Sequence, residues 1–519
     1  MRYSISWAAF LVMQMSLAQP AIAWQRLYGS TGQENGYSAD RTLDGGYITL
    51  SKTSNSNNGQ VTGYHGETDL WVVKLDASGE LQWQRCLGGS QDEDVGSIRS
   101  CADGGYILTG MTLSQDGDLS TEGYGFSDIW VVKLSGTGEI AWQQRYGGAY
   151  GDRGHRIVEL PEGGFVLMGM SQSLDGHFQG NHGGMDIWIA WLNETGEIER
   201  SRSYGGSRNE LIIGDLLLRS DGAIVVLGCT DSNDGDVSGS HDIPPDIPGD
   251  AWVFCAAPDG EMLWQRCLGG TSSDSGRTLA LSTDGSILVG VRTDSDDGDV
   301  NDPPGEGDIW LARLSTTGDL LDARPLGGTG GDSPWDLAIG PDGVIYVLGQ
   351  TNSSDGDVTE FFGINDTWLC KLSPGLDLLW QKSFGGSNGD FGRALILDGV
   401  DSLSFVGSTS STDNGITGNY GSSDLWVVKL GPEDVGMEET NNTGLQIFPN
   451  PASDELHMSW EGSALRSLEV SDAVGRSVPV QLPLHQNRIE LAVGTLAPGL
   501  YTVRARTEAG TLVGRFLKH

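Results

Sequence analysis

Pairs of aspartates separated by one glycine recur along this 519-residue chain and are its clearest candidates for metal chemistry. Carboxylates that turn around a glycine suit Ca²⁺, which takes about six to eight oxygen ligands. The candidate calcium ligands are Asp116, Asp118, Asp234, Asp236, Asp297, Asp299, Asp355 and Asp357. Aspartate and glycine also make good turns without a metal, and residues 231–235 miss the EF-hand-like spacing by one position. Calcium binding and plain turn formation are both open at this point.

Aromatic and histidine side chains lie in the same polar stretches and are candidates for binding a glycan or a protein. These candidates are Tyr64, Tyr124, Phe126, Phe178, His182, Phe361, Phe362 and Tyr420. Loops carry a large share of binding residues, but aromatic loop residues also cover the ends of strands and bury their rings there. The sequence leaves ligand binding and loop burial as alternatives.

The signatures of a catalytic site are weak. Residues 385–389 (GGSNG) match the G-x-S-x-G pattern, but they read as a turn between strands and not as a strand-to-helix elbow. The chain has eight histidines, and we expect none at a recurring position. The formal net charge of −39 repels phosphate backbones, which argues against nucleic-acid binding. The sequence therefore favours a protein that is not an enzyme.

The first 23 residues predict export. An apolar stretch follows Arg2, and Ala21-Ile22-Ala23 has the small-x-small form of a signal-peptidase site. Cleavage there would begin the mature chain at Trp24, and we expect no transmembrane anchor in the mature chain. Of the six cysteines, Cys229 and Cys255 fall on strands predicted to be neighbours. A disulfide between them and two buried thiols are both open.

A repeat of about 58 residues organises the chain from residue 24 to residue 430. The element Asp-x-Trp occurs seven times, with its tryptophan at 71, 130, 188, 252, 310, 368 and 426. Each copy reads as four strands rich in Val, Ile, Trp and Tyr, separated by turns of Gly, Asp, Asn and Ser. Seven units of four antiparallel strands predict a seven-bladed β-propeller. Residues 24–29 resemble a fourth strand without its blade, so they should complete the last blade and close the ring.

Three segments of the repeat carry a resemblance to a known family. They are LGGT at 326–329, IGPDGVIYVLG at 339–349 and DTWLCKL at 366–372. These segments resemble the bacterial SBBP-type repeat of seven-bladed β-propellers, and the resemblance extends over nearly all of residues 24–430. It implies the fold but no activity, because propellers serve many functions.

The pattern stops after Leu430, and a polar linker at 431–444 leads to a small β domain at 445–519. This domain contains FPNP at 448–451, VSDAVGR at 470–476, LAPGLYTV at 496–503 and GRFLK at 514–518. In this order they resemble the type A C-terminal sorting domain of the Bacteroidetes type IX secretion system. The motif residues are Asn450, Pro451, Gly475, Arg476, Gly499 and Tyr501. The resemblance implies a small Ig-like β-sandwich, passage across the outer membrane, and the type IX machinery as a partner; an adhesive sandwich domain is the alternative.

Together these observations predict a secreted or surface-displayed propeller that acts as a non-enzymatic binding or adhesion module. A propeller glycoside hydrolase or lyase is one alternative, and a structural surface-layer component is another. An asymmetric cluster of carboxylates or histidines at the central mouth, breaking the likeness between blades, would favour the enzyme. No cofactor is certain, and calcium is the candidate.

Overall fold

The computed structural model describes residues 19–433 except 212–213, 242–248, 302, 304, 306 and 400–401, together with the strands and a few connecting residues of 446–518. The chain divides into two compact units, Met1–Val435 and Gly436–His519. Every regular element in the described residues is a β-strand. Accordingly, these residues include no helix that is long and apolar enough to cross a membrane.

Seven antiparallel sheets form the seven blades of a propeller in the first unit, as predicted. The first strand, β1 (Pro20–Tyr28), belongs to blade 7. Blade 1 contains β2 (Gln33–Arg41), β3 (Tyr47–Ser54), β4 (Thr68–Leu75) and β5 (Leu81–Leu87); blade 2 contains β6 (Glu93–Ser100), β7 (Tyr106–Thr112), β8 (Asp128–Leu134) and β9 (Ile140–Tyr146). Blade 3 contains β10 (Asp152–Glu159), β11 (Phe165–Ser171), β12 (Asp186–Leu192) and β13 (Ile198–Tyr204). Blade 4 contains β14 (Glu210–Leu211), β15 (Leu216–Leu218), β16 (Ile224–Thr230), β17 (Asp250–Ala256) and β18 (Met262–Leu268).

The remaining three blades repeat the same order of strands. Blade 5 contains β19 (Asp274–Leu281), β20 (Ile287–Thr293), β21 (Asp308–Leu314) and β22 (Leu320–Leu326). Blade 6 contains β23 (Asp332–Ile339), β24 (Ile345–Thr351), β25 (Asp366–Leu372) and β26 (Leu378–Phe384). Blade 7 contains β27 (Asp390–Leu397), β28 (Leu403–Thr409) and β29 (Asp424–Glu433), with β1 as its outer strand.

The N-terminal strand closes the ring as the sequence predicts. Strand β1 pairs antiparallel with β29, with Trp24 opposite Lys429 and Tyr28 opposite Leu425. The Trp426 indole donates to Gln25 Oε1 at 3.1 Å, the bond that the same tryptophan makes to a fourth-strand glutamine in other blades, such as Trp71 to Gln84 at 2.7 Å. Strand β1 begins at Pro20, four residues before the predicted mature N-terminus, and cleavage after Ala23 stays a prediction.

The blade core is apolar and contains the recurring tryptophans. All seven Asp-x-Trp indoles are buried, at 0% or 1% exposure, among Val, Ile and Leu from neighbouring strands. Burying an aromatic ring of this size stabilises the fold by several kcal/mol, about 3–5 on truncation to alanine. All six cysteines are buried and free. Cys229 lies opposite Ala251 and Cys255 opposite Val225, so the two thiols stand four residues apart along the pair of strands and form no disulfide.

Each junction between blades holds two buried carboxylates that meet at a glycine of the connecting turn. One belongs to Asp-x-Trp and the other to the first strand of the next blade, as with Asp308 and Asp332. A Cβ on Gly327 would lie 2.8 Å from Asp308 Oδ1 and 2.6 Å from Asp332 Oδ2. The recurring glycine after the fourth strand is therefore required, because any side chain would collide with both carboxylates.

The second unit has two sheets. They contain β30 (Gln446–Phe448), β31 (Glu455–Ser459), β32 (Leu465–Asp472), β33 (Ser477–Val478), β34 (Arg488–Ala492), β35 (Gly499–Thr507) and β36 (Thr511–Lys518). The order is β30-β31-β34 in one sheet and β33-β32-β35-β36 in the other. Both sheets contribute to one core that includes Leu456, Val470 and Tyr501. Of the predicted motif residues, Gly499 and Tyr501 lie in β35, whereas Asn450, Pro451, Gly475 and Arg476 lie outside the described residues.

Candidate functional site

The first aspartate of each predicted calcium pair binds the turn that joins its blade to the previous one. Asp116 Oδ1 accepts the Ser90 N–H at 2.7 Å, and Asp234 Oδ1 accepts the Ser207 N–H at the same distance. The equivalent bonds of Asp297 and Asp355 also measure 2.7 Å. The Ser90 and Ser207 bonds are the main reason that the pKa values of Asp116 and Asp234 are lowered. These four aspartates therefore have a structural role in the turns.

The second aspartate of each pair faces a different set of groups. The backbone N–H groups of Asp118, Asp236, Asp299 and Asp357 donate to a glycine carbonyl of the preceding turn. The Asp118 carboxylate lies 3.6 Å from Arg85 Nη2, and that of Asp299 lies 3.2 Å from Arg266 Nη2. In the described part of the chain, no three His, Cys, Asp or Glu side chains come together as a metal site. Calcium binding stays a prediction, and turn formation accounts for the contacts that these residues make.

Half of the predicted ligand residues occupy one equivalent position around the loop face, the face formed by the long loops between second and third strands and by the turns between blades. At this position the backbone N–H donates to the buried Asp-x-Trp carboxylate, so we call it the junction position. It is occupied by Tyr124, His182, Phe362 and Tyr420 among the predicted residues, and also by His65, His241 and Gly305. The residues Tyr124, Phe362 and Tyr420 are 52%, 42% and 49% exposed.

The other predicted ligand residues are less uniform. Phe126 is exposed, and Phe361 is partly buried beside the junction position. Phe178 is fully buried against Trp188, with ring centroids 4.8 Å apart, so its inclusion in a binding surface was wrong. The Tyr64 hydroxyl accepts the Asn55 N–H and donates to the Glu67 carbonyl, which holds the ring within its own loop.

Histidine does recur, contrary to expectation. At the junction positions of blades 1, 3 and 4, the Nδ1 of His65, His182 and His241 lies 2.8–2.9 Å from the buried aspartate. In two cases the other ring nitrogen approaches the second aspartate of the next blade, as His65 Nε2 does to Asp118 at 3.8 Å. The insertion in the fourth repeat lengthens the spacing from four residues to nine and hides the third copy in the sequence.

The central channel is lined by the first strands of the blades, which contact one another in sequence around the ring. Six of these strands carry a β-bulge at the same level, and a bulge turns its extra side chain away from the regular pleat. The bulged residues are Tyr37, Gly96, His155, Arg277, Trp335 and Arg393. The residue type at these equivalent positions differs between most blades. The central channel is therefore the asymmetric region of the propeller, and its position was not evident from the sequence.

Trp335 and two arginines form a stack at this level. The guanidinium carbon of Arg393 lies 3.5 Å from the Trp335 ring centroid, and that of Arg277 lies 4.8 Å from it. The Trp335 indole N–H donates to Gln350 Oε1 at 3.1 Å, which fixes the ring. Burial lowers the pKa of Arg393 to about 10, and it also lowers the pKa of Arg277.

The carboxylates of the channel are already bound. Both oxygens of Asp336 accept backbone N–H groups, from Leu337 at 2.9 Å and Leu395 at 2.7 Å. Asp215 accepts from Arg156 Nε at 2.9 Å. Burial raises the pKa of Asp336 to about 6, but the Leu395 bond joins the first strands of blades 6 and 7, so its role here is structural.

His155 brings a neutral imidazole to the same level. Its Nε2 donates to the Gly214 carbonyl at 3.0 Å, which leaves Nδ1 as an acceptor. Nδ1 is buried and has no hydrogen-bond partner in the described residues. Burial lowers the pKa of His155 well below its usual value, and neighbouring Arg156 acts in the same direction.

A cavity of about 400 Å³ lies between the first strands of the blades and is lined by Tyr37, Arg99, Arg156, Asp215, Asp336 and Arg393 among others. A cleft of about 520 Å³ between blades 1 and 2 is larger, but its lysine, Lys74, is bound to Asp44 at 2.9 Å. A sequence signal for the channel existed: Trp335 is one of the few tryptophans that do not fall on a repeat position.

Comparison with known proteins identifies the second unit. Residues 446–519 match the family described as the secretion system C-terminal sorting domain. This is the sorting domain of the type IX secretion system, so the chain is exported to the cell surface or the extracellular space. The protein is therefore a secreted or cell-surface seven-bladed β-propeller with a type IX sorting domain. Membership of the SBBP-type propellers stays a prediction.

The other similarities to known proteins are distant. The regulatory protein FlaEY of Caulobacter vibrioides is 22% identical over 360 residues, which cover 62% of this chain and 37% of that protein. The chain thus matches little more than a third of that relative's length. A solved protein of unknown function from Dyadobacter fermentans is 11% identical with a TM-score of 0.43, covering 79% of this chain and 99% of its own. Puromycin hydrolase is 14% identical with a TM-score of 0.43, covering 86% of this chain and 58% of its own.

Proposed function

We propose that this protein is a non-enzymatic binding or adhesion module whose loop face contacts an extended glycan or protein at several blade junctions. The observation that carries the proposal is the repeated placement of partly exposed rings at one equivalent position per junction. Tyr124, Phe362 and Tyr420 expose about half of their surface there, although each anchors its backbone to a buried aspartate.

Repetition favours adhesion because weak contacts add up when one ligand spans several of them. Each aromatic ring supplies a flat apolar surface with limited loss of conformational freedom. Once one junction is occupied, the next binds at a high effective concentration, so overall affinity exceeds that of any single contact. Export to the cell surface places the loop face where such ligands occur.

The described groups support binding more than catalysis. A glycoside hydrolase or lyase needs a pair of carboxylates or a base with free atoms facing its substrate. In the channel, Asp336 and Asp215 are bound to backbone and arginine donors. At the junctions, the aspartates are buried and accept backbone N–H groups.

The proposal is tested with the full chain on an array of surface polysaccharides and matrix proteins. We expect capture of at least one extended ligand, which mass spectrometry then recovers unchanged. Tyr124→Ala and Tyr420→Ala should each weaken capture severalfold, and the double variant should weaken it by more than either alone. Tyr150→Ala is the matched control, because Tyr150 is 56% exposed but does not occupy a junction position.

Three results would contradict the proposal. Turnover of a captured ligand would make the protein an enzyme. Equal losses from Tyr150→Ala and Tyr124→Ala would show that the junction position has no special role. Formation of a regular lattice without ligand capture would support the surface-layer alternative.

A further inference from the structure

The central channel contains a second feature that the loop face does not explain. Arg277 and Arg393 approach Trp335 from the two blades that flank it. We infer that these two guanidinium groups form a binding site for a small organic oxyanion, a carboxylate or a sulfate carried by a sugar or a similar molecule. This inference is independent of adhesion at the blade junctions.

The two guanidinium groups have no acceptor of their own. Across the described residues, no carboxylate, carbonyl or hydroxyl oxygen accepts a hydrogen bond from Arg277 or Arg393, and Arg277 Nε is buried without a partner. Other channel arginines differ in this respect. Arg156 binds Asp215 at 2.9 Å, and Arg153 binds Asp94 at 2.9 Å.

The presence of two arginines without counter-charges is unexpected in a protein this acidic. The chain has 70 acidic residues against 31 Lys and Arg, so carboxylates are abundant. None of those that the structure describes forms an ion pair with either of these two side chains. Both arginines are partly buried. Withdrawing a charge from water without a counter-charge is costly, and the two like charges repel each other. An oxyanion bound between them would remove both penalties, which explains why an acidic protein keeps the pair.

The stack on Trp335 prepares both groups for this role. Stacking occupies the face of a guanidinium and leaves its N–H edge free, and that edge matches the two oxygens of a carboxylate or sulfate. The bond from Trp335 to Gln350 fixes the ring on which both guanidinium groups pack.

The adjoining cavity of about 400 Å³ limits the ligand to a small molecule or one terminal residue of a chain. The inference is tested by titrating the full chain with sodium glucuronate, sodium sulfate and neutral glucose by calorimetry, with saturation-transfer NMR as a second measurement for the two sugars. Glucuronate and sulfate separate the two sources of oxyanion, and glucose is the uncharged match of glucuronate. We expect at least one anion to bind and glucose not to bind.

Arg277→Gln and Arg393→Gln should each weaken anion binding by about tenfold or more. Arg393→Lys keeps the charge but loses the planar fork, so its affinity should fall between those of the wild type and Arg393→Gln. The control is Arg200→Gln, because Arg200 also stacks on a tryptophan, Trp191 at 4.5 Å, but is exposed and lies outside the channel.

Wild-type affinity in Arg393→Gln, or equal loss in Arg200→Gln, would overturn the inference. So would binding of glucose as tight as that of glucuronate, or no binding of either anion to the folded wild type. The thermal midpoint of each variant shows whether it is folded. None of these results bears on the junction residues, whose variants are assayed with extended ligands.

Discussion

Replacing Asp308 by asparagine should stabilise the propeller at pH 8, although it removes a residue that recurs in every blade. Asp308 is fully buried at the junction of blades 5 and 6. Its Oδ2 accepts the Gly305 N–H at 2.6 Å, but Oδ1 is buried and has no hydrogen-bond partner among the residues that the structure describes. Asparagine keeps the acceptor for Gly305 and replaces the unpartnered oxygen with an N–H₂ that faces the Asp332 carboxylate.

The magnitude follows from the pKa of the carboxyl group. Burial, with a further contribution from Asp332, raises the pKa of Asp308 from 3.8 to about 7. A shift of that size corresponds to about 4 kcal/mol above pH 7, and screening by solvent at the rim of the propeller reduces it to about 2 kcal/mol. The folded pKa is the higher one, so the wild type has this stability in full below about pH 4 and loses it as the pH rises through about 7.

The assay is urea unfolding of the full chain at pH 4 and pH 8, followed by tryptophan fluorescence. We expect Asp308→Asn to match the wild type at pH 4 and to exceed it by about 2 kcal/mol at pH 8. Asp128→Asn is the matched control, because Asp128 occupies the same repeat position but is paired with buried Arg145 at 2.5 Å. Breaking that pair should cost about 3 kcal/mol. Destabilisation of Asp308→Asn at both pH values would refute the assignment of an uncompensated charge.

The other expected results concern the core, the turns, the buried acids and the sorting domain. Trp130→Ala should cost about 3–5 kcal/mol in urea unfolding, because Trp130 is fully buried; a near-neutral result would contradict its place in the core. Asp234→Ala should lower the urea midpoint slightly and by the same amount in calcium and in EDTA, because it removes the acceptor of the Ser207 N–H; a loss seen only with calcium would make Asp234 a metal ligand. The wild type should have a lower urea midpoint at pH 8 than at pH 5, because burial raises the pKa of Asp152 to about 6 and that of Glu210 to about 7; a higher midpoint at pH 8 would refute this. Removing residues 446–519 should abolish surface delivery in cell fractionation; unchanged delivery would contradict the role of the sorting domain.

The fold was predictable because the same sequence pattern for a four-stranded blade occurs seven times. Each copy needs a buried tryptophan, a buried acid at each end of the junction, and a glycine between them. The regular spacing of these residues in the sequence therefore predicts the blades. Ring closure was also predictable, since Gln25 accepts a hydrogen bond from the Trp426 indole as Gln84 does from the Trp71 indole. The roles of the aspartates in turns were harder to assign, because Asp116 and Ser90 meet only when blades 1 and 2 are placed side by side.

The candidate sites were harder to predict from the sequence because they depend on residues that differ between the repeats. In five blades the junction position is the residue four places before the aspartate of Asp-x-Trp, but the residue type there varies, as from His65 to Tyr124 to Phe362. The channel residues are set by β-bulges, and a bulge depends on how a strand pairs with its neighbour and not on its composition. Trp335 was the one visible sign, as a tryptophan outside the repeat.

The acidic exterior and the cationic stack in the channel are compatible because they act over different distances. Charges on the surface are screened beyond a Debye length of about 8 Å at physiological ionic strength, whereas the guanidinium groups on Trp335 act at hydrogen-bond distance in a partly dehydrated channel. A polyanion would have to lie along many acidic loops to place one of its charges in the channel. A molecule with a single oxyanion meets that repulsion only during its approach and gains the full attraction once inside. A net charge of −39 around two unpaired arginines would thus select small anions and exclude large ones.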